Sequence, residues 1–264
     1  PGLSAERVFG VDASYNLRVG DLKARISGYY TRIYDQSKVI SYYDDVAATF
    51  TNFAMSGIDK LHFGLEAAVS IPLYRSLALN GAVSWGQYTY DSNPYYLQTQ
   101  DNSGDIVSDG YVYWKDFRVE STPQTAVNVG LSWRSNNNIY LSADFNYYNN
   151  MYLSMSPIYR TDAVITGGMA PGDIEHLRRQ EKFDSAYTLN ASIGKNWYIH
   201  RKYTLGFSLD VKNILNNQDI KTGGYEQTRL SKNTETTVTT YQAFDSKYFY
   251  MFGTTYYLNL YFRF

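Results

Sequence analysis

The residues in this chain best suited to holding a ligand lie between about Asp91 and Glu120. Tyr95, Tyr96, Tyr111, Tyr113, Trp114 and Phe117 stand there beside Asp101, Asp105, Asp109 and Asp116. Aromatic faces can stack on sugar rings and carboxylates accept hydroxyl hydrogen bonds, so this mixture could contact a glycan. The same residues could equally fold the stretch on itself. Asp101-Asn102-Ser103-Gly104-Asp105 has some character of a calcium loop but lacks the EF-hand spacing, and no metal is assigned to it. Arg178-Arg179 beside Glu181-Lys182 reads as a solvated charge cluster.

Other chemistry finds little support. Cysteine is absent, so disulfides and Cys-based metal or redox sites are excluded. His62, His176 and His200 are scattered and do not suggest a His–metal cluster. No Gly-x-Ser-x-Gly elbow, P-loop or His-Glu-x-x-His occurs. His176 falls in a long connection, His200 in a short turn, and His62 opens a strand, so none is placed for a Ser–His or Asp–His pair. The expectation is a protein that is not an enzyme and carries no cofactor.

The elements that must position these residues are strands. Val11, Ala13, Tyr15, Leu17 and Val19 alternate with Asp12, Ser14, Asn16 and Arg18. After Gly20-Asp21, Leu22, Ala24, Ile26, Gly28 and Tyr30 alternate with Lys23, Arg25, Ser27 and Tyr29. Alternation with period two marks a strand whose faces differ, and the tight turn makes this pair a hairpin. The pattern returns at Phe63–Leu73 and Leu77–Trp85, at Val127–Arg134 and Ile139–Tyr147, and at Leu189–Gly194 and Thr204–Lys212. It closes with Gly253–Phe264, where Thr254, Tyr256, Leu258, Leu260, Phe262 and Phe264 share a face. That makes about nine strands. Short turns at 20–21, 74–76, 135–138 and 200–201 alternate with long connections at about 44–59, 91–120, 151–185 and 213–246.

Composition agrees with a membrane barrel. Aromatics are 17% of the 264 residues and 28 are Tyr, whose apolar ring and polar tip suit a membrane–water interface. A mean hydropathy of −0.41, with no long apolar run, excludes a transmembrane helix. It does not exclude transmembrane strands, which spend half their residues on a polar interior. A net charge of −1 suggests no nucleic-acid partner. No signal peptide opens the chain.

Short turns on one side and long loops on the other are the habit of outer-membrane barrels, with the short turns periplasmic. Trp85, Trp133 and Trp197, near strand ends on apolar faces, read as interface anchors. The last strand then descends to the periplasm, and about nine strands back the first descends too. Single-chain bacterial barrels have an even strand number. The fold class expected is therefore all-β: a transmembrane antiparallel barrel, of which this chain supplies about nine carboxyl-terminal strands. Edge strands open to lipid are not tolerable, so further strands must come from another chain or from further sequence. A closed nine-strand barrel formed by this chain alone would contradict that.

Asn213-Ile214-Leu215-Asn216-Asn217-Gln218-Asp219, followed by Thr222-Gly223-Gly224-Tyr225-Glu226-Gln227-Thr228-Arg229, resembles the late-barrel signature of the SusC/RagA group of TonB-dependent transporters. Leu3-Ser4-Ala5-Glu6-Arg7 is similar to the Leu-x-Pro-Glu before a descending strand in such receptors, with Ala5 where Pro is usual. The closing aromatic strand is also of their kind. The resemblance implies a 22-strand barrel with an amino-terminal plug, energised through the plug by TonB, and a SusD-like surface lipoprotein acting as a lid. Plug and TonB box have no counterpart in this sequence. Asn213, Asn216, Asn217, Gly223, Gly224, Tyr225 and Glu226 are taken as a family mark, with loop architecture as their physical role. The loop aromatics could then pack against the lid as readily as against substrate.

The function expected is nutrient import across the bacterial outer membrane, with an oligosaccharide or a peptide as cargo. The alternative is a surface-exposed β-rich adhesin or carbohydrate-binding module, which would not depend on detergent.

Overall fold

The computed structural model describes residues 4–45, 47–74, 76–120, 122–167, 171–200, 202–233 and 240–264. The alternating segments become long antiparallel strands: β1 (Arg7–Val19), β2 (Leu22–Asp44), β3 (Thr49–Tyr74) and β4 (Leu77–Tyr90). A hairpin of β5 (Tyr95–Gln100) and β6 (Ile106–Tyr111) follows, then β7 (Thr125–Arg134) and β8 (Ile139–Asn149). Two short helices, α1 (Asp162–Thr166) and α2 (Pro171–Arg178), precede β9 (Ala186–Ile199) and β10 (Tyr203–Lys212). Four small strands, β11 (Lys221–Tyr225), β12 (Leu230–Asn233), β13 (Thr240–Ala243) and β14 (Lys247–Tyr250), lead to β15 (Thr255–Arg263).

Nine strands form a wall in chain order, β1-β2-β3-β4-β7-β8-β9-β10-β15. Among the described residues β1 pairs only with β2 and β15 only with β10, so the wall is an open sheet and not a closed barrel. Its register follows from the two-faced pattern, because a slip by one residue would exchange the faces. Leu17 stands opposite Ala24, Ala24 opposite Val69, Val69 opposite Gly81 and Gly81 opposite Val129. The other face is stitched by side-chain hydrogen bonds between neighbouring strands. Ser70 reaches Asn80 at 2.8 Å and Asn80 reaches Ser132 at 3.1 Å. Asn128 reaches Asn146 at 2.8 Å, and Ser142 lies 2.9 Å from Ser192.

Glycine weakens a strand by leaving nothing to pack, but on the polar face the gaps are filled by tyrosine. Tyr29 lies across Gly64 and Gly86, its hydroxyl 2.5 Å from that of Tyr88. Tyr140 crosses Gly194 in the same way, and Tyr261 crosses Gly206 to bond Asn196. A Cβ at Gly194 or Gly206 would collide with the tyrosine ring.

The apolar face is exposed along the wall and carries two aromatic bands. Tyr30, Trp85, Phe145 and Tyr187 stand toward the long-loop end, and Trp133, Trp197 and Phe262 toward the short-turn end. From Tyr187 to Trp197 the strand travels about 33 Å. At the usual tilt of roughly 45° that is a height near 25 Å, the thickness of an apolar band in a membrane barrel.

Two expectations need correction. Residues 44–59 are not a long polar connection, because β2 runs to Asp44, β3 starts at Thr49, and only a tight turn joins them. The register shifts between Ile33 and Lys38, with Asp35 and Gly57 at positive φ. Each strand gains a residue there, so the alternation changes phase and no longer reads as a continuation. The strict alternation of short and long connections therefore breaks at this point. The other long connections are structured: 91–120 contains the β5–β6 hairpin, 151–185 the helices, and 213–246 three small strands.

Candidate functional site

The hydrophobic core is not in the wall but in a cap built over its long-loop end. Beyond the phase change, β2 and β3 rise clear of β4, and β3 takes β5 as its new partner from Thr51↔Gln100 to Ser56↔Tyr95. With β6 this makes a four-stranded sheet. A small knot fixes the departure. The Asp35 amide donates to Asp59 at 2.9 Å, the Asp59 amide to Ser92 at 2.8 Å, and the Ser92 hydroxyl to the Gly57 carbonyl at 2.7 Å.

One face of this sheet is buried. Phe53 stacks on Tyr96 with centroids 4.6 Å apart, and Tyr90 lies 4.6 Å from Trp114. Met155, Ile158, Tyr159 and Val164 from the β8–β9 connection and Leu230 from the β10–β15 connection complete the same cluster. All the long connections after β4 thus share one core. Burial of these apolar groups is the force that folds the loops together.

An ion pair lies inside it. Arg160, whose side chain is 1% exposed, makes a two-pronged contact with Glu226 at 2.6 and 2.9 Å and also donates to the Ser156 carbonyl at 3.0 Å. Glu226 accepts from the Ser156 amide at 2.8 Å as well. Gly224, just before, has φ +155, and a Cβ there would run into the Lys247 carbonyl. The backbone continues the contact, with Ser154 donating to the Gly224 carbonyl and Glu226 donating to that of Ser154. The Gly-Gly-Tyr-Glu segment is therefore the strap that binds the β10–β15 connection to the β8–β9 connection. Gly223 pairs with Phe249, and Tyr225, half exposed, with Lys247.

The asparagines of the same signature close the wall. Asn213, at φ +51 and 3% exposed, donates to the carbonyls of Asn217 and Phe252 at 2.9 and 3.0 Å. Its side-chain oxygen accepts from the Asn217 amide. Asn216 accepts from the Thr254 amide at 3.0 Å. Together they set where β10 ends and β15 begins, a role that short polar side chains tolerant of positive φ can take.

The ligand candidates divide by burial. Tyr96 and Trp114, at 1% and 2% exposed, are core residues of the cap. Tyr95, Tyr111 and Tyr113 reach the surface, and Tyr95 sits edge-on to Tyr111 at 5.6 Å with its hydroxyl on Asp109. Asp101 is bonded by Asn52 at 2.8 Å, and no group of His, Asp and Glu suited to a metal occurs among the described residues. Beneath the β2–β3 tip is a cavity of about 400 Å³, walled by Tyr42, Asp44, Gln98, Ser108, Thr161 and Val164 among others. Burial and the neighbouring carboxylates of Asp44 and Glu120 raise the pKa values of Tyr42 and Tyr90. These phenols stay neutral and serve as hydrogen-bond donors. At its rim Asp45 is held below the ordinary carboxylate range by the hydrogen bond from Arg229. His62 packs against Tyr88 on the polar face and His200 is in a turn at the opposite end of the wall. The side chain of His176 lies outside the described residues.

Sequence reading missed Arg160, Gln98 and Gln124. Gln124 is buried and bonds both the amide and the carbonyl of Tyr88, standing in for a strand neighbour where β7 has not yet begun. Thr161-Asp162, the cap and first residue of α1, marks the start of that helix but not the burial of Arg160.

No protein-family model matches the sequence, and no curated protein does. Among solved structures, the outer membrane transporter YddB from Escherichia coli is similar in fold, with a TM-score of 0.51 over 98% of this chain at 13% identity. The chain spans 32% of that transporter's length. The fold is thus that of a portion of an outer-membrane transporter barrel.

Proposed function

We propose that this chain forms wall and extracellular loops of a TonB-dependent outer-membrane importer of the SusC/RagA kind, with the remaining strands and a plug supplied by further sequence or another chain. The carrying observation is the wall itself, whose two aromatic bands bound an apolar face and whose opposite face is made of small and polar residues. Such a sheet suits lipid on one side and a wet interior on the other. The cap then faces the outside of the cell, where a SusD-like lipoprotein would cover it and hand over an oligosaccharide or a peptide. Tyr111 and Tyr113, exposed, and Tyr95, half-buried beside them, are the rings available for that cargo. The chain contributes scaffold and recognition, and the step driven by TonB belongs to the plug. It is read as a transporter part and not as an enzyme.

The test is fractionation of cells making the full-length protein, followed by uptake assays. Recovery in the detergent-extracted outer membrane, and uptake lost without TonB, is the expected result. A protein that stays in the aqueous phase without detergent refutes the reading and favours an adhesin or a glycan-binding module.

A further inference from the structure

Three cations at the short-turn end of the polar face have no part in the cap. Arg18 and Lys23 are direct cross-strand partners, and Arg25 is the next residue on the same face of β2, opposite Asn16. Like charges directly opposite one another destabilise a sheet. All three are exposed, and none makes an ion pair among the described residues. Of the carboxylates on this face, Asp12 opposite Tyr29 and Glu66 opposite Ser27 stand further toward the cap, while Asp144 and Asp210 lie on β8 and β10, several strands away. Arg18, Lys23 and Arg25 line a groove of about 500 Å³ whose other wall includes Ser70 and Asn80.

We propose that Arg18, Lys23 and Arg25 form an anion seat that takes the carboxylates of an acidic polypeptide segment packed inside the barrel. This rests on the reading of the polar face as the barrel interior. The groove lies on the face opposite the exposed Tyr15 and Ile26, so lipid headgroups do not reach it. It is an open trough much larger than a single inorganic anion, and three cations spread along two strands match carboxylates spaced along a chain. Such a segment removes the repulsion between Arg18 and Lys23 and fixes whatever fills the interior to this side of the wall.

The experiment places a photo-crosslinking amino acid at Asn16 of the full-length protein in detergent and identifies the captured peptide by mass spectrometry. Capture of a segment rich in Asp and Glu is expected, with yield falling at least fivefold in the R18E/R25E variant and kept in R18K/R25K. Raising salt from about 0.05 to about 1 M should lower the yield in the unsubstituted protein as well, which tests the charge requirement even where the reversal fails to fold. Capture of lipid or of a second copy, no capture, or a yield indifferent to both charge and salt overturns the seat. If the protein still needs detergent in those cases, the barrel reading survives and only the seat fails; an aqueous protein ends both.

Discussion

Replacing Glu226 by Ala should open the cap while leaving the wall intact. Glu226 neutralises a guanidinium that is 1% exposed, through bonds of 2.6 and 2.9 Å, and also accepts from the Ser156 amide. Removing one member of a buried pair costs about 3–5 kcal/mol, because the other charge is left without a partner. Glu226 keeps 13% of its side-chain surface in contact with solvent, which places this case at the lower end. A loss of about 3 kcal/mol multiplies the population of the opened cap by roughly 100. Hydrogen exchange followed by mass spectrometry on the full-length protein in detergent reads this directly. Faster exchange is expected around Ser154–Asp162 and at Val112–Trp114, whose backbones meet at Val112↔Thr161 and at the Tyr113–Arg160 bond, with no change in β7–β10. Replacing the pair together by R160M/E226L should recover much of the protection, since a desolvated pair contributes little net stability over apolar residues of similar size. Unchanged exchange in E226A would refute the assignment of the strap.

Three further outcomes follow from other parts of the molecule. Gly194→Val should lower wall stability by about 1–3 kcal/mol through collision with the Tyr140 ring, and Tyr140→Ala should relieve it; the loss of heat-resistant gel mobility with temperature reports both. Asp45 has its pKa lowered on folding, so its contact with Arg229 contributes fully above the ordinary carboxylate value near about 3.9 and is lost as pH falls through the lower folded value. Protection from exchange at the β2–β3 tip, taken relative to the intrinsic rate, should thus stay flat from neutral pH to about 5 and fall only in stronger acid, and Asp45→Asn should abolish that acid limb. Tyr159 is pushed up to about 12, first by burial, and donates to the Arg229 carbonyl at 2.7 Å. Its stabilising effect is complete below the ordinary tyrosine value near about 10 and fades as pH rises toward 12, so the cap should loosen in that alkaline window and Tyr159→Phe should flatten the response.

The wall was legible in the sequence because its information is local. Strands such as Val11–Val19 and Leu22–Tyr30 alternate without interruption, and the turn Gly20-Asp21 joins them by a rule of backbone sterics, so strand number, order and the two faces were determined by neighbours in the chain. The upper halves of β2 and β3 escaped because one added residue in each reverses which face is apolar, and only their pairing reveals the phase change at Asp35 and Gly57. The cap depended on contacts between distant connections. Nothing near Arg160 announces Glu226, and nothing near Phe53 announces Tyr96; each is defined by a partner brought in by folding. The aromatic and acidic run at 91–120 showed the same limit, since composition alone could not separate Tyr96 and Trp114, which hold the core, from Tyr111 and Tyr113, which face the solvent, and Tyr95, which is half-buried. Periodicity determined which side of a strand a residue takes, whereas which sides meet was decided by the burial of apolar surface in three dimensions.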